Sequence, residues 1–333
     1  MKSPYRMLVA AIVLASASAL ADEPVLTVYT YDSFVSDWGP GPAITKAFES
    51  TCDCQLKLVG LEDGAALLSR LKMEGKRSRA DIILGLDTSL TSEAHATTLL
   101  APHGLDTNGL GLTLEWSDEV FLPYDFGHFA FVYDSEQLTS PPTSLRALVN
   151  DTEGPKVIIQ DPRTSTPGLG LLLWMRYVFG DDAPSAWKIL APRILTVTKG
   201  WSEAYGLFLE GEAPMVLSYT TSPAYHRHVD KTDRYRAAAF SEGHYAQIEV
   251  AAKLAHSTKQ ALADQFLTFM LSPAFQDIIP TTNWMYPAGR TETPLPQAFQ
   301  DLVKPTNTLL LDTAVVAGQR KAWIREWLNA VSD

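Results

Sequence analysis

Short runs of β-branched and aromatic residues alternate with stretches of helical periodicity along this chain, and the alternation constrains the fold more than any other feature. In the first series, residues 25–30, 55–61 and 80–86 are predicted strands, and residues around 44–48 and 64–73 are predicted helices. A βαβαβ order favours a mostly parallel sheet with helices on its faces. The first part of the chain is therefore predicted to form an α/β lobe.

A second series of the same kind follows. Strands are predicted at 156–160, 194–198 and 215–219, and helices at 168–179, 183–190 and 202–209. Residues 115–133 are predicted to be strand throughout and to carry the chain into a second lobe, and a strand at 245–252 to carry it back; helices near 259–271, 273–278 and 313–331 complete the prediction. We expect lobe 1 to contain 22–126 with about 246–285, and lobe 2 to contain 127–245 with about 286–333.

The first 21 residues have the pattern of a secretory signal peptide. Lys2 and Arg6 precede an apolar stretch, and small residues around Ala19 and Ala21 favour cleavage after Ala21. We therefore expect export to the periplasm. The whole chain carries a formal net charge of −11, which argues against nucleic acid as a partner.

Motifs that would indicate catalysis or a resident cofactor are lacking in the sequence. There is no Gly-x-Ser-x-Gly elbow, His-Glu-x-x-His helix, phosphate-binding lysine loop or dinucleotide fingerprint. The two cysteines, Cys52 and Cys54, are expected to form a disulfide after export. His226 and His228 are either metal ligands or, as the favoured interpretation, a solvated pair. We expect neither a bound metal nor a cofactor.

Aromatic side chains follow several predicted strands, at positions that do not fit core spacing. Tyr31 and Trp38 follow the first strand, and they either present ring faces to a cation or cover the core. Trp201, Tyr219 and Tyr225 lie in loops of the second series, where an aromatic cage would suit a delocalised heterocyclic cation. Ligands of open α/β sheets lie at the carboxyl ends of strands, so the cleft between the lobes is the predicted site.

Polar groups after the strands admit two interpretations each. Ser165 and Thr166 precede an apolar helix with Pro167 and Gly168, so they either bind an anion at the helix N-terminus or simply cap the helix. Asp63 either pairs with an amino group of a ligand or caps the helix that follows it. The sequence pattern leaves both alternatives open.

Six segments resemble one known family, the periplasmic thiamine-binding proteins of bacterial ABC importers: residues 26–34, 37–42, 160–174, 198–208, 217–225 and 283–287. The resemblance implies the two-lobed type II periplasmic binding protein fold, an α/β fold in which the lobes close on a ligand. It implies thiamine, its monophosphate and its diphosphate as cargo, and an inner-membrane permease with its ATPase as partner. A monomer is expected separately, because no exposed apolar pattern in the sequence demands a partner. A carrier of another small solute such as ferric iron, or an exported thiamine-degrading enzyme, is the alternative.

The resemblance also implies a set of ligand contacts. Our hypothesis for their roles is that the rings of Trp201, Tyr219 and Tyr225 face the cargo and that Asp63 accepts from the aminopyrimidine. Hydroxyl and amide groups of the other contacts then hold the hydroxyethyl or phosphate end. The implied contacts are Asp63, Gly64, Ser165, Thr166, Trp201, Tyr219, Thr220, Thr221 and Ser222, and the further candidates are Tyr31, Trp38, Tyr225 and Trp284.

Overall fold

The computed structural model describes residues 23–112 and 114–332. The predicted signal segment and its cleavage after Ala21 lie outside these residues, so both stay predictions. Among the described helices, none combines the length and the apolar character needed to cross a bilayer.

Up to Asp134, the described residues form five strands and four α-helices. They are β1 (Val25–Tyr31), α1 (Asp32–Val35), α2 (Gly41–Glu49), β2 (Gln55–Leu61), α3 (Gly64–Glu74), β3 (Ile82–Asp87), α4 (Thr88–His95), β4 (Leu100–Ala101) and β5 (Leu122–Asp134). The remaining elements are α5 (Leu145–Asn150), β6 (Val157–Gln160), α6 (Thr166–Phe179), α7 (Ala183–Leu190), β7 (Ile194–Thr198), α8 (Trp201–Leu209), β8 (Met215–Tyr219), α9 (Pro223–Tyr225), β9 (Tyr235–Ala237), β10 (His244–Leu254), α10 (Gln260–Met270), α11 (Pro273–Gln276), α12 (Ile279–Thr282), β11 (Tyr286–Pro287), β12 (Thr308–Leu309) and α13 (Thr313–Val331).

The strands run in the order β2-β1-β3-β10-β5-β8-β6-β7. At one end β1 is parallel to β2 and β3, and at the other β6 is parallel to β7 and β8. Strands β5 and β10 lie antiparallel to each other between these two parallel groups. The predicted fold class, two α/β halves joined by crossing strands, is confirmed.

Strand β5 shows how one segment serves both halves. Its residues from Leu122 to His128 pair with β10, and those from Phe129 to Tyr133 pair with β8. The predicted strand over 115–133 is wrong in its first part, because residues 115–121 are irregular and the chain bends at Glu119 and Val120. There the Asp118 carboxylate accepts from the backbone N–H groups of Val120 and Phe121 at 2.8 and 2.9 Å, a local alternative to strand pairing.

Helix α6 packs tightly against the crossing strand β5. It is apolar on nearly all sides, and Leu169 through Met175 are buried without interruption. At its point of closest approach, a Cβ added to Gly170 would lie 2.0 Å from the ring of Phe129. Only glycine fits there, so the backbone of α6 packs directly against the Phe129 ring on the crossing strand β5.

The last helix, α13, contacts both halves of the molecule. Near its beginning, Arg320 pairs with Glu93 of α4 at 2.7 Å. Near its end, Trp327 packs edge to face against Trp187 of α7, with ring centroids 6.4 Å apart. The assignment of 286–333 to lobe 2, like the other lobe boundaries, therefore stays a prediction.

Candidate functional site

A cavity of about 380 Å³ lies between the two halves. Its floor includes the crossing strand β10, and its walls come from helix α8, from segments that follow β1, β2 and β8, and from the region of α12. Trp201 and Tyr225 were predicted to lie in loops, but they are the first residue of α8 and the last residue of α9. The lining residues are Tyr31, Ser33, Trp38, Asp63, Trp201, Ser202, Tyr205, Gly206, Leu209, Tyr219, Thr221, Ser222, Tyr225, Gln247, Glu249, Thr282, Asn283, Trp284 and Met285. A volume of this size is typical of small-molecule sites.

Aromatic rings from both halves meet at the cavity. Trp38, from the loop after α1, lies 6.2 Å from Trp201, the first residue of α8, measured between ring centroids. Trp201 stacks on Tyr205 at 4.9 Å, and Tyr225 meets Trp284 edge to face at 5.4 Å. Flat faces of this kind bind flat or cationic ligands.

The indole of Trp201 is held in place by hydrogen bonds. Its Nε1 donates to Ser218 Oγ at 2.7 Å, and Ser218 Oγ and Ser222 Oγ are also 2.7 Å apart. Ser222 Oγ in turn accepts from the backbone N–H of Tyr219 at 3.2 Å. This chain of contacts couples the start of α8 to the end of β8, so the ring presents a fixed face to the cavity.

Asp63 links the two halves at the edge of the cavity. Its Oδ1 accepts from the backbone N–H of Gly64 at 2.8 Å, which caps α3, and its Oδ2 accepts from Ser165 Oγ at 2.8 Å. Burial raises the pKa of Asp63, and the hydrogen bonds from Gly64 and Ser165 lower it. The capping interpretation of Asp63 is confirmed, while its contact with a ligand stays a prediction.

The structure brings nine of the thirteen predicted site residues to the cavity wall. Gly64, Ser165, Thr166 and Thr220 do not line it, because they are buried behind the wall. At that point the halves are in direct contact, and a Cβ on Gly64 would lie only 2.3 Å from Thr166 Oγ1. The nine residues at the wall are Tyr31, Trp38, Asp63, Trp201, Tyr219, Thr221, Ser222, Tyr225 and Trp284.

Sequence reasoning missed the polar residues on the crossing strand β10 and after α12. Glu249 is 5% exposed and its Oε2 accepts from the hydroxyls of Tyr31 and Tyr124 at 2.9 and 2.8 Å. Asn283 Nδ2 donates to Asp125 Oδ2 at 2.7 Å. The sequence did contain an indication of this site, because the acidic Glu249 lies within a strand that is otherwise predicted to be buried. A buried acidic side chain is retained only where it has a partner or a function.

Burial perturbs the acidic groups beside the cavity. It raises the pKa of Glu249 to about 7, against hydrogen bonds from Tyr124 and Tyr31 that lower it. Burial and the charge of Glu249 together raise the pKa of Asp125 well above its ordinary value. Two carboxyl groups that resist ionisation therefore lie under the aromatic walls, as in many functional sites.

The histidine pair differs from its favoured interpretation. His226 is 1% exposed, and its ring nitrogens contact Tyr205 Oη at 2.9 Å and Asp230 Oδ2 at 2.8 Å. The prediction of a solvated pair is therefore wrong for His226, because the ring is packed among aromatic neighbours. Within residues 23–112 and 114–332, no group of three or more histidine, cysteine or acidic side chains is arranged to hold a metal ion.

Cys52 and Cys54 form a disulfide just before β2. Neither residue lines the cavity. The disulfide therefore belongs to the outer edge of the sheet, away from the candidate site.

Comparison with known proteins agrees with this architecture. The family model described as "bacterial extracellular solute-binding protein" matches residues 79–310. The thiamine-binding periplasmic protein of Escherichia coli (strain K12) is 58% identical over 96% of this chain and 97% of its own length. A solved structure described as a periplasmic thiamin binding protein superposes with a TM-score of 0.91 at 59% identity, covering 93% of this chain and 97% of that one.

A more distant structure shares the fold alone. Iron-bound HitA from Pseudomonas aeruginosa superposes with a TM-score of 0.75 at 21% identity, covering 91% of this chain and 99% of its own. The chain belongs to the family of bacterial extracellular solute-binding proteins, alongside the periplasmic thiamine-binding proteins that it matches over nearly its full length.

Proposed function

We propose that this protein binds thiamine, thiamine monophosphate and thiamine diphosphate in the cavity between its halves. One observation carries the proposal: the cavity is walled by aromatic rings and contains the carboxyl groups of Asp63 and Glu249, and none of its lining residues within 23–112 and 114–332 is a lysine, arginine or histidine. Such a wall suits a flat ligand with a permanent positive charge, as the thiazolium ring has. The high identity to periplasmic thiamine-binding proteins supports the same ligand.

The lining residues suggest how the ligand divides among them. Trp201, Tyr219 and Tyr225 supply the ring faces, and Asp63 accepts from the amino group of the pyrimidine. The hydroxyls of Thr221 and Ser222 lie on the same turn as Tyr219 and are suited to the hydroxyethyl or phosphate end. Without a basic residue in the wall, a phosphate group would be held by neutral donors, which are weaker than charged ones.

Binding of this kind requires no chemistry on the ligand. We infer a periplasmic monomer, exported by a signal peptide cut after Ala21, that delivers its cargo to an inner-membrane permease and its ATPase. Ligand bound between the halves favours the closed arrangement only to the extent that it binds that arrangement more tightly than the open one. The disulfide of Cys52 and Cys54 supports the absence of a thiol nucleophile, because both sulfur atoms are already bonded.

Isothermal titration calorimetry of ligand-free protein tests the proposal. The protein is refolded first, because a tightly bound cargo would copurify, and is titrated with thiamine, its two phosphates and ferric citrate. Binding of the thiamine compounds at one site, at submicromolar Kd and with no heat from ferric citrate, is expected. Absence of binding to all three thiamine compounds would refute the ligand, and saturable iron binding would favour the iron-carrier alternative.

A further inference from the structure

Three acidic residues form a row across the strands that join the two halves. Glu249 of β10 is the register partner of Asp125 on β5 and of Asp87 on β3. Both pairings are antiparallel, so the three side chains point to one face of the sheet, with neighbouring Cβ atoms about 5 Å apart. We call Asp87, Glu249 and Asp125 the acid row.

The acid row is buried and only partly hydrogen-bonded. Asp125 Oδ1 and Asp87 Oδ2 are buried without a hydrogen-bond partner, and their residues are 0% and 1% exposed. Glu249 alone of the three lines the cavity. Buried oxygens of this kind are costly when ionised, so burial favours the protonated carboxyl groups, and a nearby cation would favour their ionised form.

The titratable groups around Glu249 add no positive charge. Tyr31 of β1 and Tyr124 of β5 donate to its Oε2, Asp87 and Asp125 flank it in register, and Asp63 and Tyr219 interact with it through charge. Burial is the largest cause that raises the pKa of Asp87 to about 7, with further contributions from the charges of Glu249 and Asp63. The row therefore retains protons near neutral pH when the cavity holds no cation.

We propose that Glu249 selects for the positive charge of the ligand, and that entry of the cationic ring drives a proton from the acid row into solvent. The inference rests on the proposed function, because it assigns the charge recognition of that same cavity. The carboxyl O–H bond breaks, the carboxylate stays as counter-ion to the cation, and water or buffer takes the proton. A neutral ring in the same position would leave the proton in place.

The sign of the pH dependence follows from this exchange. Glu249, with its pKa near 7 in the ligand-free protein, is mostly protonated at lower pH and mostly ionised at higher pH. Below pH of about 7, binding must first release a proton, so affinity for the cation falls by up to about tenfold for each pH unit. Above about pH 8, the residue is already ionised and its contribution to the pH dependence ends.

Calorimetry of the full mature protein tests the inference. Thiamine is titrated at several pH values, each in two buffers of different ionisation enthalpy, so that the difference in heat counts protons released. The comparison ligand is the neutral analogue in which carbon replaces the ring nitrogen of the thiazolium, which keeps the same pyrimidine. We expect release approaching one proton for thiamine at about pH 6 and little at about pH 8.5, with no such release for the neutral analogue.

Two variants locate the effect. Glu249→Gln keeps an acceptor for the tyrosine hydroxyls, and we expect it to weaken thiamine binding roughly tenfold at about pH 8 and to abolish the release of protons. The matched control is Glu153→Gln, an exposed residue outside the cavity, for which no change is expected.

The outcomes separate this inference from the proposed function. Tight thiamine binding with no proton release at any pH, or equal affinity for the charged and neutral ligands, would overturn the inference and leave the proposed function standing. Failure of thiamine to bind at every pH would overturn both. Proton counting on the unmodified protein remains decisive even where Glu249→Gln does not fold.

Discussion

Replacement of Trp201 tests the aromatic wall most directly. Trp201 lies at the start of α8, stacks on Tyr205 with ring centroids 4.9 Å apart, and faces Trp38 from the other half at 6.2 Å. A desolvated ring face contributes about 2 kcal/mol to the binding of a cation. We therefore expect Trp201→Ala to weaken thiamine binding by about 10-fold to 30-fold.

A second substitution separates the ring face from its support. Trp201→Phe keeps a ring but loses the donor to Ser218 Oγ at 2.7 Å. Ser218 Oγ retains its contact with Ser222, so no buried hydroxyl is left unpaired. We therefore expect Trp201→Phe to weaken the binding free energy of thiamine by about 1 kcal/mol. The expected order of affinity is the unmodified protein, then Trp201→Phe, then Trp201→Ala.

The assay is calorimetric titration of refolded protein, with thermal melting to establish that each variant is folded. Tyr177→Ala is the matched control, because that ring is 46% exposed and lies outside the cavity. Unchanged affinity in folded Trp201→Ala would remove Trp201 from the site. An equal loss in Tyr177→Ala would show that the effect does not come from the cavity.

Three further predictions concern stability and the disulfide. Ser165→Ala removes a buried donor to a carboxylate across the cleft. Urea unfolding of the ligand-free protein should show a loss of about 1.5–3 kcal/mol in the free energy of unfolding, against almost none for the exposed Ser140→Ala; equal losses would contradict the cross-cleft bond. Burial lowers the pKa of His128 to about 4, so below about pH 6.5 the unfolded chain binds a proton that the folded protein does not. The difference in unfolding free energy between the unmodified protein and His128→Gln should therefore shrink by up to about 1.4 kcal/mol per pH unit as pH falls from about 6.5 towards 4. A difference that stays constant over this range would refute the prediction. The double variant Cys52→Ser, Cys54→Ser removes a disulfide that spans a sequence separation of only 2 and lies outside the cavity. The Kd for thiamine, measured by calorimetry, should therefore stay within about twofold of that of the unmodified protein. A large rise in Kd would link the disulfide to the site.

The regular elements were predictable because their signals are local. The strands at Gln55–Leu61, Ile194–Thr198 and Met215–Tyr219 and the helices at Ala183–Leu190 and Thr313–Val331 have the predicted bounds. Strand and helix periodicities depend on neighbours a few residues apart, which the sequence contains directly. Residues 115–121 were mistaken for strand because Trp116, Val120 and Phe121 favour strands. The bend around Asp118 depends on hydrogen bonds to Val120 and Phe121, which strand propensity does not encode.

By itself, the sequence determined the two α/β series, the crossing segments between them, and the aromatic residues placed after strands. Only the tertiary structure decided that Glu249 lies in register between Asp87 and Asp125, that Ser165 turns away from the cavity to reach Asp63, and that α13 contacts both halves. The physical reason is distance along the chain. Strand register and contacts between the halves are set by the packing of residues far apart in sequence, and no local pattern encodes that packing.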